Sequence, residues 1–181
     1  KSLFNIIKYA PYLFRKRFNG KYIIIESDDW GLEHSISIEG IDYLKNIYGV
    51  EKFTRWTTDS LETVEDVSLL FDLLSKFDNS FEYPPIITTN FVTHNIDYNN
   101  SDSITFISLE EYLNDKSELS EQYLYGIRKK YIYPQLHGYC HYDTTRLNSF
   151  YSTNEGKELF KVGFFTGKST IRGNLELLRS E

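Results

Sequence analysis

The chain has 181 residues, with 40% hydrophobic side chains, 20 basic and 26 acidic residues, and a formal net charge of −6. This length suits a single domain with a real core, and the composition excludes an intrinsically disordered chain. The negative charge argues against a general nucleic-acid binder, and the single cysteine, Cys140, excludes both a disulfide framework and a paired-cysteine zinc knuckle.

The N-terminal segment, residues 1–18, mixes apolar and basic side chains and predicts a basic amphipathic helix. We expect this helix to pack on the domain, with attachment to a membrane surface as the alternative. Its basic end, Arg15 to Arg17, lies on the wrong side for a secretory signal, and no apolar run approaches the roughly 20 residues of a membrane-spanning helix. We therefore expect a cytoplasmic protein without a transmembrane segment.

Three apolar runs predict β-strands. Residues Lys21 to Glu26 are β-branched and almost continuously apolar, as expected for a strand that is buried on both faces. The second run, Pro85 to Val92, opens with a proline pair typical of a strand start, and the third is Tyr131 to Leu136. Pro134 weakens the prediction for the third run, because proline has no N–H to donate to a neighbouring strand.

The stretches between these runs have helical periodicity. Apolar residues at helical spacing predict a helix over Ile36–Tyr48, and Thr63 with Asp66 forms the pattern of a capping box at the start of another. Two further helices are predicted over residues 108 to about 130 and over Thr144–Phe160. Because strands alternate with helices, we expect parallel β–α units and a sheet that is covered by helices.

Polar side chains follow each predicted strand at the point where it ends. They are the pair Asp28–Asp29, the stretch Asn90–Asn95 and the sequence HGYCH at 137–141. Functional residues gather at the carboxyl ends of parallel strands, so we expect these three segments to form one site.

Two histidines and one carboxylate are a common ligand set for a catalytic zinc ion, since they leave a position open for water. His137 and His141 are four residues apart, a spacing that brings both imidazoles to one side of a helical turn or tight loop. Consecutive strand-end residues point in different directions, so one of Asp28 and Asp29 can hold a metal while the other faces the reacting centre. The alternatives are a turn or helix cap for the two aspartates, and a thiolate ligand or a small buried side chain for Cys140.

Three motifs carry a resemblance to a known family. ESDDWG at Glu26–Gly31 resembles the first motif of the polysaccharide deacetylases (NodB homology, carbohydrate esterase family 4), usually written TFDDG, and HGYCH at 137–141 resembles their second motif, H-S/T-x-x-H. The likeness is greatest to a divergent branch from bacterial surface-glycan loci, in which SDDWG precedes T-x-N-F-V and P-Q-x-H-G, matched here by Thr89–Val92 and Pro134–Gly138. It covers roughly residues 21–146, and three motifs in order are more specific than any one alone.

The resemblance implies a metal-dependent hydrolase that removes acetyl groups from an N- or O-acetylated sugar or polysaccharide. Asp28 would be the catalytic base, and Asp29, His137 and His141 would hold a divalent metal. Zinc is the first expectation for this metal, and cobalt, nickel and manganese are the alternatives. Such a metal makes water a stronger acid and polarises the acyl carbonyl, and the base accepts the water's proton. The implied partner is an acetylated carbohydrate in the bacterial cytoplasm, with no nucleic acid.

The resemblance also implies an α/β fold, a (β/α) barrel that is distorted and seven- or eight-stranded, in one domain over residues 1–181. Two further motifs of the family are not recognisable in this chain: R-x-P-Y, whose arginine orients the base, and L-x-H, which supplies the general acid. The chain also contains no methionine. We therefore expect it to lack a C-terminal part of the barrel.

Four more residues are candidates for the same rim of the sheet. His94, just past the second strand, is the one candidate substitute for the general acid, and Arg146 could approach the base. The alternatives are a polar loop histidine and an ordinary surface arginine. Trp30 could stack on a sugar face or pack in the core, and Asn90 could bind substrate or cap the following turn.

The two unmatched motifs leave other functions open. The first alternative is a non-catalytic relative that retains the metal ligands and acts as a glycan-binding or scaffold protein. Hydrolysis of a non-sugar amide at the same site is the second, and a merely polar site in which the motifs coincide by chance is the third. Metal affinity and acetate release together separate these alternatives, apart from the non-sugar amide, which needs a panel of substrates.

Overall fold

The computed structural model describes residues 21–33, 60–100 and 102–163, together with Asp42 and Asn46 on a helix. The predicted N-terminal helix over 1–18, and all but two residues of the helix predicted over 36–48, lie outside the described residues. The elements with defined bounds are, in chain order, β1 (Glu26–Trp30), α1 (Val64–Ser75), β2 (Ile87–Val92), β3 (His94–Ile96), β4 (Phe106–Ser108), α2 (Leu109–Tyr112), a 3₁₀ turn (Asn114–Lys116), α3 (Ser117–Lys129), β5 (Ile132–Gly138), α4 (Thr144–Tyr151) and α5 (Asn154–Lys161).

The strands form two small sheets. The first is a three-stranded parallel sheet with the order β1-β2-β5, and the second pairs β3 with β4 in antiparallel orientation. The expected (β/α) barrel is wrong for the part of the chain that the structure describes. Closure requires hydrogen bonds between the first and last strands of the sheet, whereas β1 and β5 each pair with β2 alone, and the chain after β2 turns back into a hairpin. The observed architecture is a small α/β domain.

The first strand begins later than the sequence predicts. Residues Lys21 to Glu26 were expected to be a buried strand, but β1 covers Glu26–Trp30, and the side chains of Tyr22 to Ile25 are exposed. The reason is the length of the partner strand. Strand β2 begins at Ile87, and its first register pair with β1 joins Thr88 to Glu26, so the residues before Ile25 have no strand beside them in the described part of the chain.

The other two predicted strands are confirmed with small changes of boundary. Strand β2 begins at Ile87 rather than Pro85, and β5 runs from Ile132 through Pro134 to Gly138. Strand β5 tolerates the proline because it lies at the edge of the described sheet, where a strand needs N–H donors on one side only.

The helix predicted from the capping box is confirmed. The Thr63 hydroxyl accepts a hydrogen bond from the Asp66 backbone N–H at 3.1 Å, and the Asp66 carboxylate accepts one from the Thr63 N–H at 3.0 Å. Together these bonds satisfy two amide groups that the first turn of α1 leaves without a helical partner. The helix turns Val67, Phe71 and Leu74 into the core.

Two stretches predicted as single helices are each divided. The stretch after Ser108 forms α2, a 3₁₀ turn over Asn114–Lys116 and then α3, because asparagine and aspartate favour local bonds over a continuous helix. The stretch 144–160 forms α4 and α5, and the Thr153 hydroxyl caps α5 by accepting a hydrogen bond from the Gly156 N–H at 3.0 Å.

The described residues bury two apolar clusters. One lies between the parallel sheet and helices α1 and α3, and the other lies between the β3–β4 hairpin and helices α4 and α5. The first contains Trp30, Leu61, Val67, Phe71, Leu74, Ile87, Leu113, Leu119, Tyr123, Tyr131 and Ile132. The second contains Ile96, Ile104, Cys140, Tyr142, Leu147, Phe150, Leu159 and Phe160. Ile96 and Cys140, which follow β2 and β5 in the chain, belong to the second cluster, whereas Trp30 at the end of β1 belongs to the first.

A tight turn follows β1 and depends on a glycine. Gly31 has φ +76°, and the Leu32 N–H donates a hydrogen bond to the Asp29 carbonyl at 3.2 Å. A Cβ at position 31 would lie 2.7 Å from the Leu109 Cδ2 atom. Residues other than glycine pay a steric cost in this left-handed region of the backbone.

We expect Gly31→Ala to lower the free energy of unfolding by about 1–2 kcal/mol, the usual cost of left-handed backbone in a residue with a Cβ. Urea denaturation of the metal-free protein measures this loss. Gly138→Ala is the matched control, because Gly138 is not among the positive-φ glycines and its added Cβ would meet only the Cys140 carbonyl oxygen, at 3.9 Å. Equal losses in the two variants would contradict the assignment of the cost to the turn.

Candidate metal centre

Three side chains converge at the carboxyl end of the parallel sheet. The Oδ1 atom of Asp29 lies 3.1 Å from His137 Nε2 and 3.0 Å from His141 Nε2. The candidate ligand atoms of the three residues all lie within 4.8 Å of one another, and the two imidazole centroids are 5.7 Å apart. Asp29, His137 and His141 are therefore close enough to hold a metal ion.

The two distances from Asp29 to the histidines are compatible with a divalent metal. Nitrogen and oxygen ligands about 2.0–2.2 Å from a tetrahedral ion lie roughly 3.4 Å apart. The two Asp29–histidine distances are within a few tenths of an ångström of that value. The set also provides the neutral nitrogen and anionic oxygen donors that zinc binds, and three protein ligands leave one tetrahedral position open. The residues present therefore fit a divalent metal.

Irregularities in the strand pairing set the directions of two of the three candidate ligands, Asp29 and His137. Between β1 and β2 the register steps from Ser27–Thr89 to Trp30–Phe91, so β1 contains one extra residue at the aspartate pair. Between β2 and β5 it steps from Phe91–Leu136 to Val92–Gly138, so β5 contains one extra residue, His137. A bulge redirects the side chains of the strand that carries it. The two bulges flank the end of β2 and direct Asp29 and His137 to the same place.

Asp29 itself has an uncommon backbone conformation, with φ +67°. Aspartate visits the left-handed region more readily than most residues, because its short side chain can bond locally. The conformation separates the two neighbouring carboxylates: Asp29 is half-buried and faces the histidines, whereas Asp28 is exposed. This separation agrees with the prediction that the two aspartates point in different directions.

The Asp28 carboxylate is bound by a residue of the central strand. The Nδ2 atom of Asn90 donates a hydrogen bond to Asp28 Oδ1 at 2.6 Å. The sequence predicts that Asn90 either binds substrate or caps a turn, and neither role includes this contact. Asp28 and Asn90 are 62 positions apart, so the contact depends on the register of β1 and β2.

Trp30 lies in the first apolar cluster. Only 6% of its surface is exposed, and its ring is 5.8 Å from that of Phe91 and 6.0 Å from that of Tyr123, measured between centroids. Of the two roles that the sequence allows for Trp30, this burial favours core packing over contact with a sugar.

His94 lies against the histidine loop, defined as residues 137–141, which begins at the last two residues of β5 and contains both candidate histidine ligands. Its ring stacks on Tyr139, with 3.9 Å between centroids, and its Nδ1 atom is 3.0 Å from the Thr93 hydroxyl. Tyr139 lies between His137 and His141 in the chain. The same Thr93 hydroxyl donates to the carbonyl oxygens of Gly138 and Tyr139, at 3.3 and 3.2 Å, and so holds the loop to the end of β2.

Arg146 and Cys140 have roles that do not need the metal centre. The Arg146 guanidinium is half-exposed on α4 and lies 3.4 Å from the Asp143 carboxylate, which also caps that helix. Cys140 is buried in the second apolar cluster, and its thiol donates to the Tyr142 carbonyl at 3.5 Å. Burial raises the pKa of the Cys140 thiol, which disfavours the thiolate form that a metal requires.

A partly buried acidic network, which no sequence pattern indicated, supports the turn that follows β1. Glu62 accepts hydrogen bonds from the Gly31 N–H at 3.2 Å and from the Tyr123 hydroxyl at 2.8 Å. Asn95, which is almost fully buried, donates to the Gly31 carbonyl at 2.8 Å and accepts from the Glu33 N–H at 2.9 Å. The backbone next to Asp29 is therefore fixed by side chains from other parts of the chain.

Two carboxylates of this network are affected by burial. Burial raises the pKa of Glu33, against smaller opposing effects of the Leu61 N–H and the Lys116 ammonium. Burial also raises the pKa of Glu62, and the charge of Glu33 adds to the effect. A raised pKa means that the folded protein holds these protons at pH values where the unfolded chain has released them.

Comparisons with models of protein families, with curated proteins and with solved structures found no match to this chain. Among the residues that the structure describes, no helix is both long enough and apolar enough to cross a membrane.

We expect the metal-free protein to bind one Zn²⁺ per chain in isothermal titration calorimetry, and His137→Ala and His141→Ala to weaken that affinity by more than about 100-fold, since even loss of an outer hydrogen bond costs 10–100-fold. Zinc at 100 times its Kd should raise the free energy of unfolding by about 2.7 kcal/mol. His94→Ala is the control and should bind zinc as the wild type does. Unchanged affinity in His137→Ala would indicate a merely polar site.

We expect the free energy of unfolding to fall less steeply with rising pH in Glu62→Gln than in the wild type. A group with a raised folded-state pKa contributes stability fully below its unfolded value, near 4.5, and loses it as pH rises through the folded-state pKa. Glutamine can still accept the hydrogen bonds but has no charge to desolvate. Urea denaturation of the metal-free proteins from pH 4.5 upward should show the free energy of unfolding of the variant increasing relative to that of the wild type.

The control for that experiment is Glu65→Gln, which removes an exposed charge from α1. Its stability should follow that of the wild type across the same pH range. A wild type and a Glu62→Gln variant that lose stability in parallel would show that Glu62 does not titrate differently in the two states.

Proposed function

We propose that this chain is a metal-dependent hydrolase that removes acetyl groups from an acetylated sugar, with a site like that of the polysaccharide deacetylases it resembles. One observation carries the proposal: candidate ligand atoms of Asp29, His137 and His141 converge within 4.8 Å, and the exposed carboxylate of Asp28 belongs to the residue just before Asp29. The proposal rests on this site and on the order of the motifs. It does not require a barrel, because the described strands and the histidine loop already place the three residues together.

Asp29, His137 and His141 would hold a divalent metal, most simply zinc, which when bound would polarise the acetyl carbonyl and make water a stronger acid. The rest of the chemistry belongs to the chain. Asp28 accepts a proton as water adds to the acetyl carbon, and its exposure leaves it open to solvent and substrate. The bond that breaks joins the acyl carbon to the sugar nitrogen or oxygen, and acetate leaves.

The departing nitrogen or oxygen needs a proton, and His94 is the residue proposed to supply it. Its Nδ1 atom lies 3.0 Å from the Thr93 hydroxyl, and its ring is held against Tyr139. A fixed ring favours transfer through one defined nitrogen, which here is Nε2. His94 begins β3, two positions after the end of β2, and Asp28 lies within β1, so the proposed acid and base come from different strands.

We expect Asp28→Asn to lower kcat for acetate release by about 10²- to 10⁴-fold, the usual contribution of a general base, while zinc affinity stays within about threefold of the wild type. Acetate is measured by a coupled assay on a panel of N- and O-acetylated saccharides in the presence of zinc. Glu26→Gln is the matched control, because Glu26 is another exposed carboxylate of β1.

The outcomes separate the candidate functions. Zinc binding without acetate release from any saccharide in the panel would favour the glycan-binding or scaffold alternative. Release from a non-sugar amide in place of the saccharides would keep the chemistry and change the substrate class. An Asp28→Asn variant that is as active as the wild type would contradict the role of Asp28 as the base.

A further inference from the structure

The contact between Asp28 and Asn90 is well defined. In the 2.6 Å contact the Asn90 amide nitrogen donates a hydrogen bond and Asp28 Oδ1 accepts it. This assigns the orientation of the Asn90 amide. Strand β2, which carries Asn90, is paired on both sides, whereas β1 is paired on one side in the described sheet. The donor therefore lies on the more rigid of the two strands.

We propose that Asn90 is a positioning residue for the general base Asp28. The inference rests on the proposed function, because it assigns a task to Asn90 only if Asp28 accepts a proton. The hydrogen bond fixes one carboxylate oxygen, and this sets the direction in which the other oxygen faces. An amide is suited to the task, since it donates to the carboxylate but does not exchange a proton with it.

Exposure of Asp28 is the reason that positioning matters. An exposed side chain populates several rotamers, and ordering it for reaction has an entropic cost. A base that is displaced by about 1 Å from its reactive geometry can lose about 100-fold in rate. The strand register provides the fixed point, because Asn90 lies between the pairs Ser27–Thr89 and Trp30–Phe91 and so faces the bulge that contains Asp28.

A role in substrate binding is the competing interpretation for Asn90. The two interpretations differ in the quantity that a substitution changes. Loss of a substrate contact that is equal in the ground state and the transition state raises KM, whereas loss of base orientation lowers kcat. They also differ in whether the effect of the substitution requires Asp28.

The kinetic experiment uses the zinc-loaded full chain and the variants Asn90→Leu and Asn90→Gln, alone and combined with Asp28→Asn. Leucine keeps the approximate volume without a donor, and glutamine keeps the donor on a longer side chain. We expect Asn90→Leu to lower kcat by about 10- to 100-fold with KM and zinc affinity within about twofold of the wild type, and Asn90→Gln to recover part of the loss. On the Asp28→Asn background, Asn90→Leu should cost less than about twofold more.

The second measurement needs neither metal nor substrate. In ¹H–¹⁵N spectra of the metal-free protein, Asp28→Ala should shift the side-chain amide signals of Asn90, because it removes their acceptor. The side-chain amide of Asn95 is the internal control, since it donates to the Gly31 carbonyl instead. Thr88→Ala, on the same strand, is the control for general effects of substituting β2.

Each outcome decides the inference. A raised KM with unchanged kcat, an equal loss of kcat on the Asp28→Asn background, or Asn90 signals that do not respond to Asp28→Ala would each overturn it. Loss of zinc affinity in Asn90→Leu would assign Asn90 to the metal centre instead. If the wild type releases no acetate, the proposed function and the inference fail together. If the wild type releases acetate but the losses of kcat from Asn90→Leu and Asp28→Asn are additive, the inference fails and the proposed function stands.

Discussion

The pairing of β2 with a parallel neighbour on each side is the constraint on which the candidate site depends. Asp29 belongs to β1 and His137 to β5, and these two strands are not paired with each other in the described sheet. Only their separate registers with β2 place the two ligands together. The central strand also carries Asn90 and, just past its end, the hydroxyl of Thr93 that holds the histidine loop. Most of the site is therefore defined relative to one six-residue strand.

The turn after β1 shows how an unfavourable local conformation is maintained. Asp29 and Gly31 both have positive φ, and Glu62 and Asn95 bind the backbone on the two sides of Gly31. Strained backbone persists where its surroundings over-determine it. Here the surroundings include the half-buried Glu62 and the buried Glu33, and desolvation of a carboxylate has its own cost. The contacts that fix the direction of the Asp29 side chain therefore also lower the stability of the protein near the site.

The sequence was informative where the determinants are local. The capping box at Thr63 and the spacing of His137 and His141 each depend on neighbouring residues, and each corresponds to a feature of the structure. The polar pair Asp28–Asp29, expected after the first strand, lies within β1 instead. Pro134 shows a limit of local rules, because its tolerance depends on the edge position of β5.

Features that depend on distant pairing could not be predicted. The start of β1 is set by the start of β2, and the bulges exist only as mismatches between two strands. The three-residue strands β3 and β4 are too short for a periodic pattern. Asn90 bonds to Asp28, 62 positions away in the chain, and Glu62 bonds to Tyr123, 61 positions away. No local sequence pattern indicates contacts at such separations. The barrel expectation failed for a related reason, since motifs specify strand ends but not how many strands follow.

The bulge in β1 has a consequence for how this chain can vary. A strand alternates its side chains with a period of two, so removing one residue reverses the face of every residue on one side of the change. Deleting one residue of the aspartate pair would restore regular pairing between β1 and β2, but it would leave a single carboxylate where the candidate site has two. Ordinary substitutions in β1 leave that geometry intact. Insertions and deletions should thus be far rarer than substitutions in β1, and the length of this strand is a stricter constraint than its composition.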